Sequence, residues 1–131
     1  MDIRILLVDD EVDFIETVLK RFTFRKIPAK AVHNGQDALD LLAREPIDVV
    51  ILDVRMPGLD GIETLKEIKK RHPLVEVIML TGHASIETGM QGMTMGAYDY
   101  ILKPTDFDLL LDKVRKAFER KKINEKQSGR T

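Results

Sequence analysis

Five short apolar runs divide the chain: 3–8, 29–32, 49–52, 75–80 and 98–102. Each is brief, rich in β-branched residues and closed by a turn former or a charge, the pattern of strands buried on both faces. The run at 29–32 is the weakest and is expected near a sheet edge. Between the runs the apolar positions recur every three or four residues, the period of a helix with one buried face. Phe14, Ile15, Val18, Leu19 and Phe22 mark a first helix over 13–24, stopped by Pro28. Ala38, Leu41 and Leu42 follow the Asn34-Gly35 turn and mark a second over 35–44. Ile62, Leu65 and Ile68 mark a third, with Lys66, Lys69, Lys70 and Arg71 outward and Pro73 at its end. A fourth runs from a cap at Ser85 to Met95. It carries Gly89 and Gly92, each costing about 1 kcal/mol against Ala, so it is expected to be the least stable; Gly96 is placed to end it. Phe107, Leu110, Leu111, Val114 and Phe118 mark a last helix over 106–122 behind a capping Asp106.

Strand and helix alternate five times with short connections, which predicts an α/β domain: a parallel sheet with right-handed crossovers and helices on both faces. With 131 residues, 44% hydrophobic, the chain supports one core. One domain is expected over 1–122, with 123–131 a flexible C-terminal tail or the start of a linker.

Composition narrows the function. The formal net charge of −1 gives no field favouring nucleic acid or an anionic membrane, and Arg120-Lys121-Lys122 reads as a solvated helix face, as do the charges of 66–71. The chain has no Cys, so thiolate metal sites and disulfides are out. His33, His72 and His83 share no ligand spacing and read as surface residues. No apolar run approaches the roughly 18 residues that span a bilayer, and the first strand begins too early to leave room for a signal peptide. A cytoplasmic location is expected.

In a parallel sheet the strand ends gather along one edge, where open α/β sheets bind ligands. Here that edge would carry Asp9-Asp10, Asp53, Thr81 and Lys103. Each has an ordinary reading alone: the acid pair as a helix cap, Asp53 as a turn residue, Thr81 as a strand-end hydroxyl, Lys103 as a solvated cation. Together they permit a narrow chemistry. Clustered carboxylates repel unless a cation sits among them, and an all-oxygen set suits Mg²⁺. A Lys beside such a cation makes a pocket for a dianion such as phosphoryl, and an Asp carboxylate can attack phosphorus to form an acyl phosphate.

Asp9-Asp10 after the first strand, Asp53 followed by Met56-Pro57-Gly58 and Gly61, Leu80-Thr81-Gly82, and Tyr100-Ile101-Leu102-Lys103-Pro104 resemble the receiver domain of two-component response regulators, the chemotaxis-regulator-like type, over residues 2–122. The resemblance implies a flavodoxin-like fold of strand order 2-1-3-4-5. It implies that Asp53 accepts a phosphoryl group from the phosphohistidine of a sensor histidine kinase or phosphotransfer protein. Asp10 and Asp53 would ligate Mg²⁺, Asp9 mainly through water, and the backbone carbonyl of Arg55 would complete the protein's share. Thr81 and Tyr100 would be a switch pair, Lys103 would pair with Asp53 or its phosphoryl, and the Lys103-Pro104 bond would be cis. Phosphorylation would then alter the face made by the fourth helix, fifth strand and fifth helix, for a downstream effector or a homodimer. For Tyr100 the ordinary reading is strand packing. Met90, Met93 and Met95 read as gap-fillers or as an adaptable partner surface on the fourth helix. Arg55 and His83 stand two residues past Asp53 and Thr81, where the family varies; their bulk is expected to lengthen the life of the acyl phosphate. The segments 89–92 and 97–99 are similar to receivers that precede AAA+ transcriptional activators.

Two other functions compete. A Mg²⁺-dependent phosphatase of the haloacid-dehalogenase type usually carries a second Asp two residues after its nucleophile, where this chain has Arg55. A flavodoxin-type FMN carrier needs a phosphate-cradling loop after the first strand, where Asp9-Asp10-Glu11 would repel phosphate.

Overall fold

Strand β1 (Ile5–Val8) is apolar at every position and is flanked on both sides by parallel strands of a five-stranded sheet, in a computed structural model that describes residues 2–54, 61–82 and 86–129. The chain proceeds through α1 (Val12–Phe24), β2 (Ala29–Val32), α2 (Gly35–Arg44), β3 (Val49–Asp53), α3 (Gly61–Arg71), β4 (Glu76–Thr81), α4 (Ile86–Thr94), β5 (Asp99–Leu102) and α5 (Phe107–Ser128). All pairings are parallel and the order is β2-β1-β3-β4-β5. This is the doubly wound, flavodoxin-like α/β architecture expected from the alternation and the resemblance.

Side chains alternate across the sheet with period two. Ile5, Leu7, Val49, Ile51, Ile78 and Leu80 face α1 and α5, packing on Phe22, Leu110 and Val114. Leu6, Val8, Val50, Leu52, Val77 and Met79 face the other way, onto Ala38 and Leu42 of α2 and Leu65 and Ile68 of α3. Five strands thereby hold two cores, and the edge strand β2, only half-buried, is the one the sequence marked as weak.

Several boundaries differ from expectation. Strand β1 begins at Ile5 rather than Ile3; the backbone N–H of Arg4 donates to the side chain of Asp48 (2.8 Å), while its carbonyl accepts from the Asp48 and Val49 N–H groups. The fifth helix runs six residues past its expected end near Lys122. Lys121 anchors that extension, bonding to Glu125 one turn on and to the buried Asp48 beneath the sheet. Asp106 stands at the N-cap of α5 with no side-chain capping bond, whereas Asn34 does cap α2, accepting from the Asp37 N–H at 2.8 Å. Gly96 closes the turn after α4 with φ +105°, a left-handed conformation that suits glycine.

Candidate functional site at the carboxyl edge of the sheet

The strand ladder carries the site residues beyond the last regular strand positions. The N–H of Asp9 donates to the carbonyl of Val32 (3.2 Å) and that of Lys103 to the carbonyl of Thr81 (2.6 Å). Both residues are held by backbone bonds at the same edge as Asp53 and Thr81, the final residues of β3 and β4.

Asp9, Asp10 and Asp53 each offer a carboxylate oxygen, and these three atoms lie within 4.8 Å of one another. Asp9 and Asp53 are buried, with relative exposures of 0% and 5%, while Asp10 is exposed. Carboxylates this close and this dry need a countercharge. Lys103 supplies one. Its Nζ donates to Asp9 Oδ2 at 2.7 Å and Glu11 Oε1 at 2.9 Å, and lies 3.6 Å from Asp53 Oδ2. Burial pulls the Lys103 pKa down, but the bonds to Asp9 and Glu11, with the charges of Asp53 and Asp9, outweigh it and hold the ammonium above its ordinary range. One ammonium does not balance three or four carboxylates. The remaining donors are hard oxygens with one open side at Asp10, a set that fits a small hard divalent cation.

Thr81 is fully buried, and its hydroxyl has no hydrogen-bond partner among the described residues. Such a group is uncommon in a folded interior. Tyr100 pairs in register with Met79, so it shares a sheet face with Thr81 two residues on. Its half-buried ring lies against α4, where a Cβ added to Gly89 would come within 3.1 Å of it. The Lys103-Pro104 peptide bond is cis, as the resemblance implied.

Arg55 and His83, with the Arg55 carbonyl, lie outside the described residues, as do Ser85 and the Pro57-Gly58 turn. Gly61, at the start of α3, is packed so closely on β3 that a Cβ there would fall 2.2 Å from Val54 Cα. The structure also brings in two residues that sequence reasoning assigned no role at the site, Glu11 and Phe14. The Phe14 ring centroid is 4.4 Å from Lys103 Nζ. Their one signal was position: they stand on the turn of chain that directly follows the acid pair.

At the opposite edge, two carboxylates missed by sequence reasoning are buried at the strand starts, Asp48 (2%) and Glu76 (1%). Lys121 and Arg4 hold Asp48; Lys69 and Arg120 hold Glu76. Lys69 and Lys121 therefore do not belong to a solvated face, with side-chain exposures of only 19% and 12%.

An open doubly wound sheet with clustered strand-end carboxylates, an ammonium and an unpartnered hydroxyl defines a class of protein that handles a charged ligand at that edge. The family is settled by comparison. The response regulator receiver domain model matches residues 5–115. The NtrX-like response regulator of Rickettsia bellii is 42% identical over 126 residues, covering 92% of this chain and 26% of the relative. Regulatory protein AtoC of Escherichia coli is 38% identical, covering 88% of this chain and 25% of its own length. The crystal structure of the receiver domain of NtrX from Brucella abortus is 37% identical, with a TM-score of 0.84 over 88% of this chain and 98% of that one. The chain belongs to the response regulator receiver domain family and is a receiver module of two-component signalling. It spans about a quarter of the length of the curated relatives it matches.

Proposed function

We propose that Asp53 is the phosphoacceptor. The observation that carries this reading is the set at one edge: Asp9, Asp10 and Asp53 oxygens within 4.8 Å, Lys103 Nζ 3.6 Å from Asp53, and the unpartnered Thr81 hydroxyl. An Asp53 oxygen attacks phosphorus. The P–N bond of the kinase or phosphotransfer phosphohistidine breaks, and its electron pair stays on the imidazole nitrogen. Asp53, Asp10 and, through water, Asp9 would hold Mg²⁺, with the Arg55 carbonyl; when bound it supplies positive charge to the phosphoryl oxygens. Lys103 neutralises another side of the phosphoryl group, and the Thr81 hydroxyl donates to a third oxygen.

The switch follows from the same atoms. Phosphoryl on Asp53 gives Thr81 the acceptor it lacks, and Thr81 moves toward it. The vacated space lies on the sheet face of Tyr100, whose ring then turns inward away from α4. The face of α4, β5 and α5 changes shape for a downstream effector or a second copy of the chain. The exposed Met90 and Met93 of α4 and Leu109 of α5 supply apolar surface there. Relatives named as transcriptional regulators support an output domain acting on transcription, of the AAA+ activator kind. Arg55 and His83 lengthen the life of the acyl phosphate, so an Arg55→Ala, His83→Ala double variant loses phosphoryl faster than wild type; equal decay rates would remove that role.

Intact mass after incubation with Mg²⁺ and acetyl phosphate, on wild type and Asp53→Asn, tests the core of the reading. One phosphoryl adduct on wild type alone, abolished by a chelator, is expected. No adduct with steady release of phosphate would instead support the phosphatase, which family membership already disfavours.

A further inference from the structure

Lys103 meets Asp53 only through a long ion pair. Its two hydrogen bonds go to Asp9 (2.7 Å) and Glu11 (2.9 Å), and Asp53 lies farther away at 3.6 Å. Glu11 is an odd partner for it. The Glu11 side chain is 63% exposed and immediately precedes α1, yet it reaches back to an ammonium that is 16% exposed. Two further contacts strengthen the arrangement. The Glu11 N–H donates to Asp9 Oδ1 at 2.9 Å, which fixes the Asp9 carboxylate so that its other oxygen faces Lys103. The Phe14 ring, three residues on, lies with its centroid 4.4 Å from Nζ, close enough for a cation–π contact. One turn of chain thus meets the ammonium with a carboxylate and an aromatic face.

We propose that Glu11 and Phe14 are positioning residues that park Lys103 in the unphosphorylated protein, competing with Asp53 and its phosphoryl group for the ammonium. The inference rests on the phosphoacceptor reading. It adds a control on it: the cation that must move onto the transferring phosphoryl is first withdrawn from Glu11, so the strength of parking sets part of the phosphorylation rate. An exposed ion pair is a modest interaction, and a ring contact adds a similar amount, so releasing either one is worth roughly a two- to fivefold change in rate. Because the Glu11 side chain is exposed, its variants are expected to keep the fold.

The test is the rate of adduct formation with Mg²⁺ and acetyl phosphate, in which the acyl P–O bond breaks and acetate leaves with the electron pair. Glu11→Gln removes the charge. Glu11→Asp keeps the charge but shortens the arm, so it separates parking from a general repulsion of the anionic donor. Phe14→Leu keeps apolar volume and removes the ring face. Parking predicts that all three form adduct about two- to fivefold faster, with Glu11→Asp behaving like Glu11→Gln. If Glu11→Gln is faster while Glu11→Asp matches wild type, the effect is the field of a surface charge and the proposal is overturned. Unchanged or slower rates in both Glu11 variants overturn it as well. Wild type that forms no adduct defeats the phosphoacceptor reading and this inference together, an outcome distinct from normal adduct formation with indifferent variants.

Discussion

Thr81 buries a hydroxyl that neither gives nor receives a hydrogen bond among the described residues. A buried unsatisfied hydroxyl costs on the order of 1–3 kcal/mol, and a side chain of the same shape without it escapes that cost. Thr81→Val is therefore expected to leave the unphosphorylated domain as stable as wild type, or more stable by about 1 kcal/mol, by denaturant midpoint. The same variant is expected to lose the response: amide shifts in α4 and β5 on adding a phosphoryl mimic with Mg²⁺ would shrink toward zero. A destabilised variant with an intact response would give Thr81 a structural role instead. The site was legible at this scale because parallel strands bring their ends to one edge, so five residues from four strand ends could be grouped before any coordinates. Glu11 and Phe14 were not, because their part depends on which way Lys103 leans, and strand position does not carry that. Asp48 and Glu76 were hidden for a related reason. A carboxylate at a strand start and a lysine on a charged helix each look solvated until the packing puts them face to face.

Helix α4 connects the site to the proposed output face. Its two glycines have different neighbours. At Gly92 an added Cβ would meet the end of the Met79 side chain at 2.0 Å, and at Gly89 it would meet the Tyr100 ring at 3.1 Å. The backbone gain of Gly→Ala in a helix is about 1 kcal/mol. At Gly89 the obstacle is a half-buried ring that can yield by a few tenths of an ångström. Gly89→Ala is expected to slow amide exchange in α4 while shifting the Tyr100 ring resonances without any phosphoryl group, since the methyl occupies the space on which the ring rests. An unmoved ring would argue that Tyr100 and α4 are not mechanically joined. The elements themselves were legible because their apolar periods are strong. The exception is the last third of α5, where Asn, Glu, Lys, Gln and Ser follow one another after Ile123 and look like a frayed tail. What orders it is tertiary: a lysine whose partner lies 73 residues earlier in the chain.

Across the whole molecule, charge is buried at both edges of the sheet, to different ends. The carboxyl edge holds more acid than base, the imbalance that the proposed cation would offset. At the amino edge each buried acid is matched by two bases among the described residues. Asp48 takes three bonds from Arg4, one of them from its backbone N–H, and one at 2.8 Å from Lys121, which ties α5 to the entrances of β1 and β3. Burial pushes the Asp48 carboxyl up, but these bonds outweigh it and hold the pKa below the ordinary carboxylate range. Lys121 is likewise desolvated, and its bonds to Asp48 and Glu125 hold it above the usual lysine range. A carboxylate with a depressed folded-state pKa contributes stability that is fully present above its unfolded value, near 3.9, and is lost as pH falls through the folded value. A lysine with a raised pKa contributes stability that is present below its unfolded value, near 10.4, and is lost as pH climbs through the folded one. Asp48→Asn should thus cost roughly 1–3 kcal/mol at neutral pH, flatten the fall in stability below about pH 4, and loosen the end of α5 by amide exchange. Phosphorylation at the far edge should remain near wild type, because the network touches no residue of the acid cluster. Urea midpoints from pH 2 to neutrality, with adduct formation on the same preparations, would test both halves. An acid limb as steep as that of wild type would take Asp48 out of the stability balance, and a lost adduct would mean that the two edges of the sheet are coupled.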